Sequence, residues 1–485
     1  MEDSVKPLAP LGIDGVPDPD TTRSQQLIEQ RSIDYVPEDE RHGKVWKQGP
    51  FWFLANFSFF SVALGFIGPS MGLSLGWTVL GGALGAVFGA LAMAFHASQG
   101  PALGLPQMVQ SRAQFGYFGV LIPVVVTVFV FIGFSTVQTN VLQTGFQGIF
   151  GWNPVLTAAL VSAGAALLSV LGHDWLHRSF RILFWCSIPF YGALSIAMMT
   201  GGVQSTTPVE GGFRAAAFMA VFATAASYNI TLAPDIANFT RYLPVRTKTS
   251  HLVLAVVGGT CLALVWMMAM GAWLATRTGA TDALVSLNDT GNEVFGHLGT
   301  TLAVLSALAL TATIGINTYS AVLSAITIID CFRPQQATYT QRIVWSVIVI
   351  AVSFVASINI SGNQLTSIND LMNGLLYLLV PWSSINLVDF FFVRRGHYSI
   401  TDMFRPNGIY GRYAWRGLTA YAVGLAVEIP FVVFSFYAGP LATAFHRIDV
   451  AFIIGAIVPA VFYLFVSRGL DLEAEAAAAA NNPAH

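Results

Sequence analysis

The stretch Ser227-Tyr-Asn-Ile-Thr-Leu-Ala-Pro-Asp-Ile-Ala-Asn-Phe-Thr-Arg-Tyr-Leu-Pro244 decides how this sequence is read. It ends an apolar run of helical length, about 213–240, and sets hydroxyls, amides and a carboxylate inside it. Pro234 has no backbone N–H, so a helix running through it loses the bond to the carbonyl one turn earlier. Asp235 follows directly. Polar and ionisable groups inside a bilayer cost free energy and mark function by default. This segment is long enough to span, polar where it breaks, and acidic beside the break.

The rest of the chain supplies the membrane. Its 485 residues are 54% hydrophobic and 10% charged, with mean hydropathy +0.63. A soluble chain carries about 25% charged residues to cover its surface. Twelve apolar stretches recur, near 51–72, 77–98, 117–142, 155–172, 181–200, 213–240, 250–275, 297–329, 342–358, 368–392, 414–438 and 447–467. Each approaches the roughly 20 residues a bilayer-spanning helix needs. With a cytoplasmic N-terminus, 20 of the 23 Lys and Arg fall on the cytoplasmic side, leaving Arg214, Arg277 and Arg447 outside. That bias sets orientation. The expectation is a multi-pass protein of the plasma or inner membrane with both termini cytoplasmic.

Residues 1–48 read as a mostly disordered cytoplasmic tail, without the apolar core of a cleaved signal. Residues 49–470 form the membrane core, and 471–485 read as a low-complexity tail with nothing to pack against. No basic patch suits nucleic acid. Cys186, Cys261 and Cys331 form no CxxC, and there is no P-loop motif. All nine His lie in loops, tails or helix ends, where they cannot ligate a haem inside the bilayer. A membrane oxidase and an ATP-driven pump are therefore excluded. The chain reads as no enzyme, with no cofactor and no metal beyond a possible Na⁺ site. Glu428, in the eleventh span, stands isolated.

The first span carries Asn56, Ser58 and Ser61, then Gly65, Gly68, Pro69 and Gly72, a second interruption. Breaks in the first and sixth spans are what two inverted five-helix repeats produce, here about 51–200 and 213–392, with two extra helices at about 414–467. Freed carbonyls at such breaks bind a cation and half-helix ends orient a substrate; kinks with only packing consequences are the other reading. In the third span Phe134 and Gln138 share one face. The eighth span holds Thr311, Thr313 and Asn317. Two amides and an aromatic plate match a planar heterocycle with donor–acceptor edges. Each amide alone is equally an interhelical hydrogen bond worth about 0.6 kcal/mol. Gly81, Gly85 and Gly89 make a stripe for close helix packing.

Asp235-Ile-Ala-Asn238-Phe-Thr-Arg241-Tyr-Leu-Pro244 resembles the Asn-Ile-Pro-Asp-Phe-Ser/Thr-Arg signature of the nucleobase–cation symporter-1 family. The loop from Gly104-Leu-Pro106 through Ser111-Arg112 to Phe115-Gly116 is similar to that family's loop between its second and third helices. Arg41-His42-Gly43, Phe51-Trp52-Phe53 and Asn317-Thr-Tyr319-Ser320 resemble its purine–cytosine permease branch, and the likeness runs from about 38 to 400. It implies an all-α, LeuT-like membrane fold: twelve transmembrane helices, a five-plus-five inverted repeat and two C-terminal helices. It also implies import of a nucleobase or related heterocycle (purine, cytosine or similar), coupled to H⁺ or Na⁺.

Carried over by position, the resemblance assigns substrate contacts to Phe134, Gln138, Thr313 and Asn317. The family's stacking aromatic falls on Asn229 by ungapped spacing, beside Tyr228, so both are candidates. Coupling is expected at Ser58, Ser61, Thr311 and Asp235. The paired hydroxyls of sodium-coupled members match Thr311 and Ala312, which loses one oxygen and leaves proton coupling at least as favoured. Asp235 stands where the signature has Asn, as a proton carrier or as a helix-end partner of Arg241. Other readings are a same-fold transporter of allantoin or hydantoin, thiamine or another vitamin, or an amino acid, and a transport-inactive receptor. The expected partners are a small heterocycle and the lipid bilayer, with the chain acting as a monomer.

Overall fold

The computed structural model describes residues 35–171, 173–203, 211–279, 282–333, 339–360 and 363–481. The expected disorder of residues 1–34 and the last four residues of the C-terminal tail lie outside the described residues. The architecture is helical throughout. In chain order the principal helices are α1 (Gln48–Asn56), α2 (Phe59–Gly65), α3 (Leu75–Ala97), α4 (Leu121–Phe150), α5 (Pro154–Leu171) and α6 (His173–Thr200). Then come α7 (Ala215–Ile230), α8 (Ala233–Thr240), α9 (Thr249–Thr278), α10 (Ala283–Val294), α11 (Leu298–Phe332) and α12 (Tyr339–Asn359). The last are α13 (Gln364–Val388), α14 (Trp415–Glu428), α15 (Ala451–Ser467) and α16 (Leu472–Asn481).

Among the described residues nine helices are long and apolar enough to cross a membrane, and the bent first pair makes ten. The eleventh and twelfth stretches form shorter helices: α14 of 14 residues followed by a 3₁₀ turn at Ile429–Phe431, and α15 of 17 residues. Large apolar side chains such as Leu254, Leu262 and Met199 lie 65–83% exposed. Lipid tails are the natural neighbours of such a surface. α10 was not foreseen; Asp282 caps it, accepting from Leu284 N at 2.9 Å and Val285 N at 3.0 Å.

The first span is broken, with a 64° bend, but not at its glycines. α1 stops at Asn56, Phe57 and Ser58 leave helical geometry, and α2 resumes at Phe59. Side chains hold the break: Ser61 Oγ donates to the freed Asn56 carbonyl at 2.9 Å, and Asn56 Nδ2 donates to Asn229 Oδ1 at 3.0 Å. Gly65 serves contact instead. A Cβ there would collide with the Met268 carbonyl of α9, and one at Gly271 with the Val62 carbonyl. In the sixth span α7 ends at Ile230 and α8 starts at Ala233, with Pro234 in its first turn, where its missing N–H costs nothing.

The glycine stripe of α3 lies on α7. Side chains at Gly81, Gly85 and Gly89 would meet Phe218, the Phe222 carbonyl and the Ala226 carbonyl in register. Both polar tails are tied down where described. Val36 N donates to Gly104 O at 2.9 Å, and the Arg41 side chain to Pro101 O at 2.7 Å. The C-terminal tail, expected to pack against nothing, forms α16 instead. Its Glu475 takes two bonds from Arg394, at 2.8 and 3.1 Å. A pairing across 81 residues leaves no local pattern to read.

Candidate functional site

The end of α1 and the short α7–α8 junction face α4 and α11 across a cavity of about 160 Å³. α4 contributes Phe134 and Gln138, α11 Thr313 and Asn317, α7 Tyr228, and α8 Asp235. These six expected residues therefore converge on one space. Asn317 Nδ2 donates to Gln138 Oε1 at 3.1 Å. Among the described residues nothing bonds Gln138 Nε2 or Asn317 Oδ1, so the linked amides retain one donor and one acceptor side by side. Phe134 and Tyr228 set their rings edge to face, centroids 6.0 Å apart. The arrangement offers flat apolar walls around a short polar edge.

Tyr228 ties the cavity to the break in the first span. Its hydroxyl lies 3.3 Å from Ser58 Oγ, which lies 3.4 Å from Ser61 Oγ. Behind Ser58 and Thr313 sits a second cavity of about 20 Å³, also lined by Ser187, Tyr191 and Ser306. That is the scale of one water molecule or small ion. Tyr191 and Ser306 are hydrogen-bonded at 2.7 Å, and Ser187 Oγ is buried with no partner among the described residues.

Asp235 also lines the larger cavity. Asn238 Nδ2 donates to its Oδ1 at 2.9 Å. Asn238 Oδ1 in turn accepts Gln107 N at 3.3 Å, from the connection between the second and third spans. Asp235 is thus held on α8 at the cavity wall and linked through Asn238 to the connection between the second and third spans.

Two expected residues lie elsewhere. Asn229 is fully buried, accepting from Asn56 and donating to Ala86 O at 2.9 Å, so it joins helices and does not line the cavity. Thr311 turns toward Gly164 of α5 and donates to Ala307 O at 2.8 Å, away from Ser58 and Ser61. Ser61 Oγ is engaged by the Asn56 carbonyl. Conversely Phe131, Phe180, Arg181, Thr231 and Phe239 line the cavity without having been singled out as site residues. Phe51, Trp52 and Phe239 pack ring to ring, 4.9–5.7 Å between centroids, where α1 meets α8. The pair Phe51-Trp52 was visible as a motif. Phe180 and Arg181 belong to a span with no polar signature.

Residues 35–455 match the family model described as permease for cytosine/purines, uracil, thiamine, allantoin. YxlA of Bacillus subtilis (strain 168), provisionally named a purine-cytosine permease, is 35% identical over 91% of this chain and 96% of its own length. The purine-cytosine permease fcyB of Emericella nidulans is 25% identical over 90% of this chain and 88% of its own length. Among solved structures, Mhp1 is a nucleobase-cation-symport-1 family transporter, captured closed with bromovinylhydantoin bound. It superposes with a TM-score of 0.70 at 19% identity, covering 94% of this chain and 99% of that one, and so shares the fold. The chain belongs to the family of permeases for cytosine and purines, uracil, thiamine and allantoin.

Proposed function

We propose that this protein is a secondary active symporter importing a nucleobase or closely related heterocycle through the cavity between its first, third, sixth and eighth spans. One observation carries the reading. The Gln138–Asn317 amide pair keeps a donor and an acceptor free on the wall of a cavity that the rings of Phe134 and Tyr228 also line. A pyrimidine or purine edge carries the complementary pair, and its faces suit aromatic walls. Thr313 completes the polar side, and the cavity lies within one chain, in keeping with a monomer.

Twelve spans, a five-plus-five inverted repeat and cytoplasmic termini complete the proposed architecture. α14 and α15 are then the two short final spans, and rocking of one repeat against the other alternates access. Thr311 points away from the first break and Ala312 has no oxygen, so the hydroxyl shell for Na⁺ is thin. Asp235, on the cavity wall, is the proposed proton carrier for H⁺ coupling. Uptake of labelled cytosine, adenine, allantoin and thiamine into proteoliposomes, under separately imposed H⁺ and Na⁺ gradients, tests both parts. Accumulation of a nucleobase under the H⁺ gradient is the expected result. Failure of every nucleobase to be taken up or to compete rejects the substrate, and a response to Na⁺ alone rejects the coupling.

A further inference from the structure

Glu428, isolated in the sequence, is not isolated in the fold. It closes α14 at 1% exposure, and among the described residues neither of its carboxyl oxygens has a hydrogen-bond partner. The carboxyl rests on Gly455 of α15, in the space any side chain there would fill. At the start of the same helix is Asp449, 2% exposed. Its Oδ1 accepts Ala451 N at 3.1 Å and its Oδ2 accepts the Tyr377 hydroxyl at 2.6 Å. Tyr377 and Asn373 lie one turn apart on α13. Asn373 Nδ2 donates to Val433 O at 2.9 Å, and its Oδ1 is buried with no partner among the described residues.

Three helices therefore converge on two buried carboxyls and three unpartnered oxygens. No cationic side chain among the described residues bonds to either acid. The neighbouring Tyr421 directs its hydroxyl to Leu378 O at 3.0 Å. Arg447, on the connecting segment, is exposed and donates to Phe434 O at 2.7 Å. Asp370 is engaged by Ser435 N at 2.8 Å. Two carboxylates buried against the same helix without a counter-charge repel where the dielectric is low. The cluster has surplus acceptors and lacks one donor, which a single proton supplies.

We infer that Glu428, Asp449, Tyr377 and Asn373 Oδ1 form a proton-binding site between α13, α14 and α15, apart from the substrate cavity. The site is mechanically joined to that cavity. Met372 O, adjacent to Asn373, accepts the Ser227 hydroxyl at 2.6 Å, and Ser227 precedes Tyr228. Loading or emptying the site bears on α7 through α13.

The test uses the intact wild-type protein in detergent. Dicyclohexylcarbodiimide reacts with protonated carboxyls in apolar surroundings and leaves a stable N-acylurea that peptide mass spectrometry locates. Labelling of Glu428 is expected on the acidic side of neutrality and is expected to fall as the pH is raised to the alkaline side, because the reagent needs the protonated carboxyl. No label on Glu428 or Asp449 at either pH overturns the inference. So does protection by Na⁺, K⁺ or Ca²⁺ at constant pH, which would make the site one for a metal cation. A companion measurement follows the thermal midpoint against pH. It should fall with rising pH in wild type and flatten in Glu428→Gln, whereas identical slopes in the two overturn the inference. Neither arm depends on transport, so its failure is distinguishable from failure of the symport reading.

Discussion

Asn317 of α11 donates to Gln138 of α4 across 3.1 Å, so two helices distant in sequence meet as one hydrogen-bonded unit on the cavity wall. The bond uses one half of each amide and presents the other half to the cavity. A side chain committed wholly to holding helices together would leave neither half free; Asn229, with both halves of its amide bonded, is that case.

Gln138→Ala and Asn317→Ala should therefore impair uptake far more than folding. Losing a hydrogen bond to a buried ligand edge costs about 1–3 kcal/mol, roughly 5- to 150-fold in apparent affinity. Asn229→Ala should do the opposite, lowering the unfolding temperature while substrate KM in the surviving protein changes little. Uptake kinetics beside thermal unfolding in detergent distinguish the two patterns. Equal loss of stability in all three would make the amide pair structural.

Asp235 lines the cavity, held by Asn238. Asp235→Asn preserves much of that bonding but cannot release a proton. Proton-driven accumulation should disappear while exchange of labelled for unlabelled substrate across proteoliposomes continues. Accumulation that survives Asp235→Asn removes this carboxylate from coupling.

The membrane class and the sixth-span break were legible because apolar length and Pro234 are local signals. The first break was misplaced. Gly65 to Gly72 look like breakers, yet Gly65 exists to admit the Met268 carbonyl, while Phe57 and Ser58, which leave the helix, carry no breaking signature. The cavity was half legible. Residues on helices already marked by polar groups were found, whereas Phe180 and Arg181 depend on how α6 docks. Glu428 seemed alone because its companions Asp449 and Tyr377 come from other helices.

The glycine stripe yields a sharp stability test. A Cβ at Gly85 would fall on the Phe222 carbonyl and one at Gly89 on the Ala226 carbonyl, both backbone atoms that cannot rotate away. Gly85→Ala and Gly89→Ala should each destabilise by about 1–3 kcal/mol through forced separation of α3 from α7. Gly76→Ala, with nothing within 4 Å, is the control in the same helix and should be neutral or slightly stabilising. Detergent unfolding midpoints check this, and a neutral Gly85→Ala would refute the packing.

Arg394 separates two kinds of ion pair within one residue. Its Nη1 lies 2.5 Å from Asp389 Oδ1, with side-chain exposures of 4% and 0%. Asp389 also receives Gln114 at 2.6 Å, Tyr398 at 2.8 Å and Tyr463 at 2.9 Å. The Glu475 carboxylate, 16% exposed, meets the other side of the guanidinium. Removing Asp389 takes away the buried partner of Arg394, leaving only Glu475, and unbinds three donors, so Asp389→Ala should cost about 3–5 kcal/mol and in practice little folded protein. Glu475→Ala leaves Arg394 its buried partner and should cost only about 0.2–1 kcal/mol, less at high salt. Truncation after residue 470 should match Glu475→Ala if that carboxylate is what anchors α16. A much larger loss on truncation would mean that α16 contributes apolar burial as well. A double-mutant cycle of Arg394→Gln with Glu475→Gln, read by unfolding midpoints at low and high salt, isolates the pair. A salt-independent coupling above about 2 kcal/mol would contradict the partial solvent access of its carboxylate.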